Sequence, residues 1–471
     1  MDTIARGLAA QARSLTTAGA PVYPGQVLCR TAMVDTLNAG VTQAVCQHAD
    51  FVREDISAAN PLRLVHGNFH CTAAGEQASG ARSWADAIEY PAGSGSFYPV
   101  TWGGAAQVDM TDGQALAASD PWYVPGVTIA RGTQINIQTW QSGTGGIIYG
   151  SSSLSSAALG DKAAIGGAKA LLGTAFAGSA GGNVFGPFAG VAATRRPAVA
   201  SIGDSRLATA GATSGAGVFV GHVANAVAGQ IGHLNLASGG SQVAVLATEA
   251  GFARRKLYLP YASHAVQNGG VNDYNVGTSA AAILAARDTV RSYAPALRWF
   301  ETTMEPRSTS SDGWTSTTGQ TPSANEATRV AVNAAVRRGR AGFEGWFEIA
   351  DRFESARDTG RWAVGDNMRA VTDAAMTAGS AVLSSASAAF SAGDVGATVY
   401  VPGAGASGGA LTSAITSVQS VTGVTLATTA STTVSNASAR IGGLTSDGLH
   451  VSAPGLQRGR AAVPVELLRQ A

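Results

Sequence analysis

From Pro197 onward the chain alternates short apolar runs with helical patterns, and the runs end on small or polar residues. "PAVASIG" stops at Asp204 and Ser205, "HLNLAS" stops at Gly239 and Gly240, and "KLYLPYASHAVQ" leads into "NGGVND". "LRWFET" and "FEGWFEIAD" are two further runs. Apolar runs without polar alternation suit strands buried on both faces, as in parallel sheets covered by helices. One helical pattern sets Val218, Phe219, Val223 and Ala226 on one face; others fall around 242–253 and over 278–293. A further helix, after "LRWFET", is opened by "SANE", where Ser323 and Glu326 have capping-box spacing, and is stopped by Arg337, Arg338 and Gly339. Such alternation predicts a three-layer α/β domain with a mostly parallel sheet.

The 471 residues are too many for one ordinary core, so two or three domains are expected. Residues 1–12, within a tail that runs to 23, have Ile4 and Leu8 on one face of a short helix. From 24 to 150, "GSFYPVTWGG", "PWYVPGVTIARG" and "GTQINIQTW" alternate apolar and polar residues between Gly, Pro and Asp, which predicts a β-sandwich of jelly-roll type. Residues 151–196 are rich in Gly, Ala and Ser and read as a surface connector. Residues 371–442 return to short Val/Thr/Ser alternations with almost no charge, after which "SDGLHVSAPG" and an amphipathic end (Val463, Val465, Leu467, Leu468) follow. The simplest account is a β-rich module inserted into one α/β domain made of 197–370 and 443–471.

Charged residues make up 13% of the chain against about 25% in an average soluble protein. Glycine, at 60 residues, is close to twice its usual share of about 7%. A chain that keeps itself in solution with Ser, Thr, Asn and Gly suits β-rich extracellular or virion proteins. The net charge of +1 offers no basic face for nucleic acid. Cys29, Cys46 and Cys71 are odd in number and lack C-x-x-C spacing, so neither a disulfide framework nor a zinc site is expected. The opening "MDTIARGLAAQARSLTTAG" has no apolar h-region, so no Sec signal is expected, and no segment is expected to span a membrane.

In an open α/β sheet, reactive groups gather at the carboxyl ends of the strands. Ser205 follows the first run there, Gly239 and Gly240 the second, and Gly270, Asn272 and Asp273 the third. Near the end, "DGLH" places Asp447 and His450 three residues apart, on one face of a single turn. A serine needs a base within hydrogen-bond reach, the task open to His450, and Asp447 would hold the imidazole tautomer and its charge. The Ser205 and Gly239 N–H groups and the Asn272 amide would supply an oxyanion hole. Gly240 is the alternative donor to Gly239.

These residues resemble the blocks of the SGNH (GDSL-type) hydrolases. "GDS" (203–205) matches the first block, the glycine of "NLASGGS" the second, "GVND" (270–273) the third and "DGLH" (447–450) the fifth, in the family's order, across about 197–362 and 443–460. The resemblance implies a flavodoxin-like α/β/α fold and ester hydrolysis through an acyl-enzyme, with no metal or other cofactor. Arg206 stands where the GDSL form has Leu, and the insertion before Asp447 is unusual. The inserted segment resembles modules of bacteriophage tail and tail-spike proteins. A β-domain ahead of an SGNH domain resembles the jelly-roll-plus-esterase layout of some carbohydrate esterases.

The expectation is a serine esterase acting on a carbohydrate ester, foremost O-acetyl groups of a polysaccharide, in an extracellular or phage-tail setting that leaves homo-oligomers open. Its rivals are a lipase or thioesterase using the same site, and a glycan-binding tail protein without activity. The remaining histidines have blander readings. His264, His222 and His233 read as packing or hydrogen-bonding residues of strand and helix; His48, His66 and His70 fall in the N-terminal region. Trp102, Trp122 and Trp140 are either sugar platforms or core, and Arg254, Arg255 and Lys256 read as a solvated helix end.

Overall fold

The computed structural model describes residues 22–150, 156, 159–179, 184–208, 221–227, 230–365, 368–445 and 447–470. The helix expected over 1–12, and Val218 and Phe219 of the second helical pattern, lie outside the described residues.

A six-stranded sheet organises the second half of the chain. Its order is Thr31–Ala32, Gly232–Asn235, Ala198–Gly203, His264–Asn268, Arg298–Thr302, Gly345–Phe347, and every neighbouring pair is parallel. Leaving aside the N-terminal edge strand, the sequence order is 2-1-3-4-5, that of flavodoxin-like doubly wound sheets. The chain therefore reverses its direction of travel on either side of Ala198–Gly203, and the crevice at the carboxyl ends there is the switch point where such sheets hold ligands. Gly203 ends this strand so close to its neighbour that a Cβ would stand 1.9 Å from the Asn268 carbonyl oxygen. Helices Ala280–Ser292 and Glu326–Arg337 bury Ile283, Val290, Val332 and Val336 in the same core as Ala200, Ile202 and Leu234.

Two local expectations are corrected. The capping box at "SANE" does not form: Asn325 is the N-cap and its side chain caps nothing. The Glu326 carboxylate is taken instead by Arg329, at 2.8 and 3.0 Å from Nε, and an acid held by a buried guanidinium cannot reach back to the N-cap. In "KLYLPYASHAVQ" the first half is a 3₁₀ helix, Arg255–Tyr261, and only His264–Asn268 is strand. Pro260 has no N–H for a central ladder, which explains the break.

Among the described residues the N-terminal half holds two larger antiparallel sheets, ordered Tyr23–Gln26, Ala189–Thr194, Arg63–His66, Ala117–Ala118, and Val108–Met110, Arg82–Glu89, Gln134–Gly143, Gln43–Phe51, Lys162–Ile165 with Phe97–Pro99 also pairing Arg82–Glu89, and two smaller two-stranded ones. Leu64 and Ala192 of the first meet Ile88, Ile135 and Ile137 of the second in one apolar cluster. The stretch 151–196 is more than a connector, since it supplies Lys162–Ile165 to one sheet and Ala189–Thr194 to the other. The latter strand is buried on both faces except at Ala193, so its small side chains show no two-residue period. Trp102 and Trp122 belong to the shared core, and Trp140 packs with Val45, Ala85 and Phe176 on the outer face. These three are core residues, not sugar platforms.

The two halves are joined by more than a linker. Thr31–Ala32 is an edge strand of the parallel sheet, and Arg255, expected in solvent, is fully buried with its Nε 3.1 Å from Glu76 of the N-terminal half. Arg254 donates to the Gly113 carbonyl at 2.7 Å, while Lys256 alone of the trio keeps a surface pair, with Glu249.

The insertion is a closed six-stranded antiparallel barrel spanning Arg369–Met376 to Val434–Ile441. Leu411, Ser413 and Ile415 point inward at every second position, and the barrel closes over a core of its own that includes Leu383, Val399 and Val424. Its two stems run side by side at Gly365 and Gly443, and the Tyr400 ring rests on Gly313 of the α/β domain.

Candidate active site

Ser205 opens the short helix Ser205–Ala208 directly after the strand Ala198–Gly203. Its Oγ lies 2.8 Å from His450 Nε2, and His450 Nδ1 lies 2.6 Å from Asp447 Oδ2. The three side chains thus form one hydrogen-bonded line at the switch point of the sheet. The Asp447–His450 segment is a bend rather than a helical turn. Asp447 Oδ1 closes it by accepting the N–H groups of Leu449 and His450 at 2.8 and 2.7 Å. A bridge between Thr445 and Val451 pinches its base.

Gly448 explains the second letter of "DGLH". Its φ is +72°, and a Cβ there would stand 1.8 Å from the Ser308 carbonyl oxygen. Its own carbonyl accepts from Ser308 N and from Trp362 Nε1, both at 3.0 Å. Burial pushes the Asp447 carboxyl up, but the bonds and charge of His450 and the two backbone N–H groups outweigh it and hold it at about 2. Asp447 is therefore ionised at neutral pH and can stabilise an imidazolium.

The second block is a turn, Ser241 N donating to Ser238 O at 3.3 Å, with Gly240 at φ +73° in its third position. That is where a type II turn requires glycine. Ser238 N donates to Gly203 O at 3.2 Å, which ties the turn to the strand that presents Ser205. Asn272, in the helix Val271–Asn275, donates one amide hydrogen to Ser241 O at 3.0 Å. Asp273 faces inward, accepting from Val243 N and Ala244 N at 2.8 and 2.9 Å, and so holds the start of the earlier helix Val243–Leu246 rather than facing the crevice.

Sequence reasoning passed over the group that locks these parts together. Arg206 is buried, with Nε 3.2 Å from Leu449 O, Nη1 2.8 Å from Glu305 O and 3.0 Å from Glu305 Oε2, and Nη2 2.8 Å from Pro306 O. One guanidinium thus fastens the residue after the serine to the residue before the histidine. His222 Nε2 holds the other Glu305 oxygen at 2.5 Å. Burial pushes the Glu305 carboxyl up; Arg206 and then His222 outweigh it and bring it to about 2. The available signal was the arginine itself, directly after the serine, where a four-residue helix buries it. Asp204 is also fully buried: its Oδ1 accepts Arg206 N at 3.0 Å, Oδ2 has no partner among the described residues, and burial pushes the carboxyl up to about 6.

The other histidines stand apart from this line. His264 Nδ1 lies 2.8 Å from Ser263 Oγ, and burial lowers its pKa to about 3; His233 Nε2 lies 2.8 Å from Ser201 Oγ, and burial lowers it to about 4. His66 bonds Asp86 at 2.8 Å and stacks on Trp84 in the N-terminal core. His48 and His70 are buried in the same half, and the three cysteines are buried thiols.

No family model and no curated protein matches the sequence. Solved structures similar to the chain include GDSL-like lipases, carbohydrate esterases and a salicylyl-acyltransferase. A family two carbohydrate esterase from Clostridium thermocellum, solved with cellohexaose, is 12% identical over 70% of this chain and 88% of its own, with a TM-score of 0.26. A GDSL-like lipase from Bacteroides thetaiotaomicron is 10% identical over 34% of this chain and 73% of its own, with a TM-score of 0.25. A family two carbohydrate esterase from Cellvibrio japonicus is 7% identical over 70% of this chain and 87% of its own, with a TM-score of 0.24.

Proposed function

We propose that the protein is a serine esterase of the SGNH class that removes acyl groups, foremost O-acetyl groups, from a polysaccharide. The observation that carries this reading is the line Ser205 Oγ, His450 Nε2, His450 Nδ1, Asp447 Oδ2, with steps of 2.8 Å and 2.6 Å across its two hydrogen bonds. In this reading His450 takes the Ser205 proton as Oγ attacks the ester carbonyl. The tetrahedral oxyanion is met by the Ser205 and Gly239 N–H groups and the second amide hydrogen of Asn272. His450 then gives its proton to the departing sugar oxygen, which leaves an acetyl-Ser205. Water, deprotonated by the same imidazole, attacks that ester and releases acetate. Asp447 stays ionised throughout and offsets the imidazolium charge.

The carbohydrate part rests on the surroundings. The His450 and Asp447 side chains are 34% and 48% exposed, an open site that admits one unit of a long chain rather than a closed acyl tunnel. Asp35 and Ala73 of the N-terminal half, which we read as a jelly-roll accessory domain, approach the Gly239–Gly240 turn, and the barrel stands on the stem of the Asp447–His450 bend. We read the barrel as a tail-type module and the setting as a phage tail or cell exterior. Among the described residues no helix is long and apolar enough to cross a membrane.

The test is acetate release from a panel of acetylated polysaccharides, with p-nitrophenyl esters of increasing chain length alongside and Ser205→Ala as control. Release from a glycan, lost in Ser205→Ala, supports the reading. Preference for long acyl esters moves the site to lipids or thioesters. Silence on every substrate leaves a binding protein.

A further inference from the structure

The N-terminal half places a carboxylate against the second-block turn. After the edge strand Thr31–Ala32, Met33 N donates to Asn235 O at 3.2 Å, Cys71 N to Val34 O at 2.9 Å, and Asp35 N to Tyr149 O at 3.2 Å. This framework is anchored on both halves of the protein. It holds Asp35 so that its Oδ2 would lie 3.7 Å from a Cβ on Gly239, the glycine proposed as an oxyanion donor.

Asp35 is half-buried, yet its carboxylate's only bonds among the described residues are the Thr36 hydroxyl on Oδ1 at 3.0 Å and its own backbone N–H. No cation among the described residues faces it, and burial pushes its carboxyl up. Other buried acids have cationic partners: Glu76 has Arg255, Asp161 has Arg30, Glu305 has Arg206 and His222, and Glu301 has Arg287, while Asp204, with one oxygen unpartnered among the described residues, takes a raised pKa instead. A partly desolvated carboxylate without a donor costs stability. Beside an oxyanion site it also adds like-charge repulsion unless a donor stands between the two. Such a group in a cleft is a candidate for substrate contact.

We propose that Asp35 is a specificity residue that accepts a hydrogen bond from a free hydroxyl of the sugar ring bearing the ester. The inference rests on the esterase reading above and narrows its substrate. With the acyl carbonyl at Gly239, the ring bonded through the ester oxygen is the part of the substrate beside Asp35. A hydroxyl on the neighbouring ring carbon supplies the missing donor. A fatty alcohol or thiol carries none and would leave the carboxylate desolvated and unpaired, which discriminates against lipid and thioester substrates.

The test uses the full chain and the near-isosteric Asp35→Asn, which keeps an acceptor for Thr36. Specificity constants are measured for p-nitrophenyl acetate and for a panel of partially O-acetylated xylose, glucose, galactose and N-acetylglucosamine oligosaccharides. The same oligosaccharides are titrated calorimetrically into Ser205→Ala with and without Asp35→Asn. The expected result is that, for the best sugar ester, the ratio of its kcat/KM to that of p-nitrophenyl acetate falls tenfold or more. The fall lies chiefly in KM, and binding to Ser205→Ala weakens to match. An unchanged ratio with unchanged binding, or a loss equal on both kinds of ester, overturns the proposal. If the wild type hydrolyses neither kind of ester, the esterase reading fails by itself, and the calorimetric comparison still decides whether Asp35 holds a sugar.

Discussion

Replacing Arg206 by leucine, the residue of the GDSL form, isolates what the guanidinium does behind the site. The substitution removes its bonds to Leu449 O, Glu305 O, Glu305 Oε2 and Pro306 O and leaves a fully buried carboxylate with His222 and, at 3.4 Å, the Asn268 amide as its remaining side-chain partners. Breaking a buried pair from one side costs about 3–5 kcal/mol. The Glu305 carboxyl, held at about 2 against its ordinary 4.5 by Arg206 and then His222, points in the same direction. Because the folded pKa is depressed, this stabilisation is present above pH 4.5 and is lost as pH falls toward 2. Urea unfolding at pH 7 should therefore show Arg206→Leu less stable by about 3 kcal/mol, with the gap to wild type closing between pH 4.5 and 2. Loss of the tie to Leu449 also frees the residue before His450, and displacing a reacting group by about 1 Å costs on the order of a hundredfold in rate. Arg206→Lys keeps the charge but not the fork, so it should recover part of the stability and little of kcat. Equal unfolding midpoints at pH 7, together with a kcat within about twofold of wild type, would refute the reasoning.

Asp204→Asn should stabilise the protein at pH 7.5, because the wild-type carboxyl, raised from 3.8 to about 6, holds a buried charge that costs about 3 kcal/mol. The raised pKa makes this cost full above pH 6 and absent below 3.8, so the gain in urea unfolding should vanish at pH 3.5. Gly448→Ala meets the Ser308 carbonyl oxygen at 1.8 Å, and kcat on p-nitrophenyl acetate should drop by about a hundredfold or more as the bend carrying His450 moves; normal turnover would show that the bend tolerates a Cβ. Asn272→Ala removes the proposed oxyanion donor and its bond to Ser241 O, so kcat should fall by about a hundredfold to a thousandfold with little change in KM. A silent Asn272→Ala would remove Asn272 from the oxyanion hole.

The strand ends were legible because each is an apolar run broken by small residues. A strand buried on both faces leaves no other pattern, and Ala198–Gly203, Gly232–Asn235 and Arg298–Thr302 lie where such runs stand. The helix Ala280–Ser292 was equally plain, opened by Ser279 accepting Ala282 N at 3.3 Å. What misled was local chemistry with a partner far away in sequence. Glu326 has capping-box spacing but is claimed by Arg329; Arg255 sits in a charge run but is claimed by Glu76, 179 residues earlier. The strand Ala189–Thr194 was hidden for the opposite reason, since small side chains buried on both faces carry no period.

By itself the sequence determined the α/β alternation, the order of the reactive residues along it, and the presence of β-rich segments before and within it. Those are properties of periodicity and of which residue follows which, and they need no partner from elsewhere. Only the tertiary structure decided that Thr31–Ala32 joins the parallel sheet, that the insertion closes into a barrel, that Arg206 binds Leu449, and that Asp35 stands beside Gly239. Each is a contact between distant segments, set by which backbone edges and buried charges find each other as the core closes. A single sequence carries no local trace of that choice.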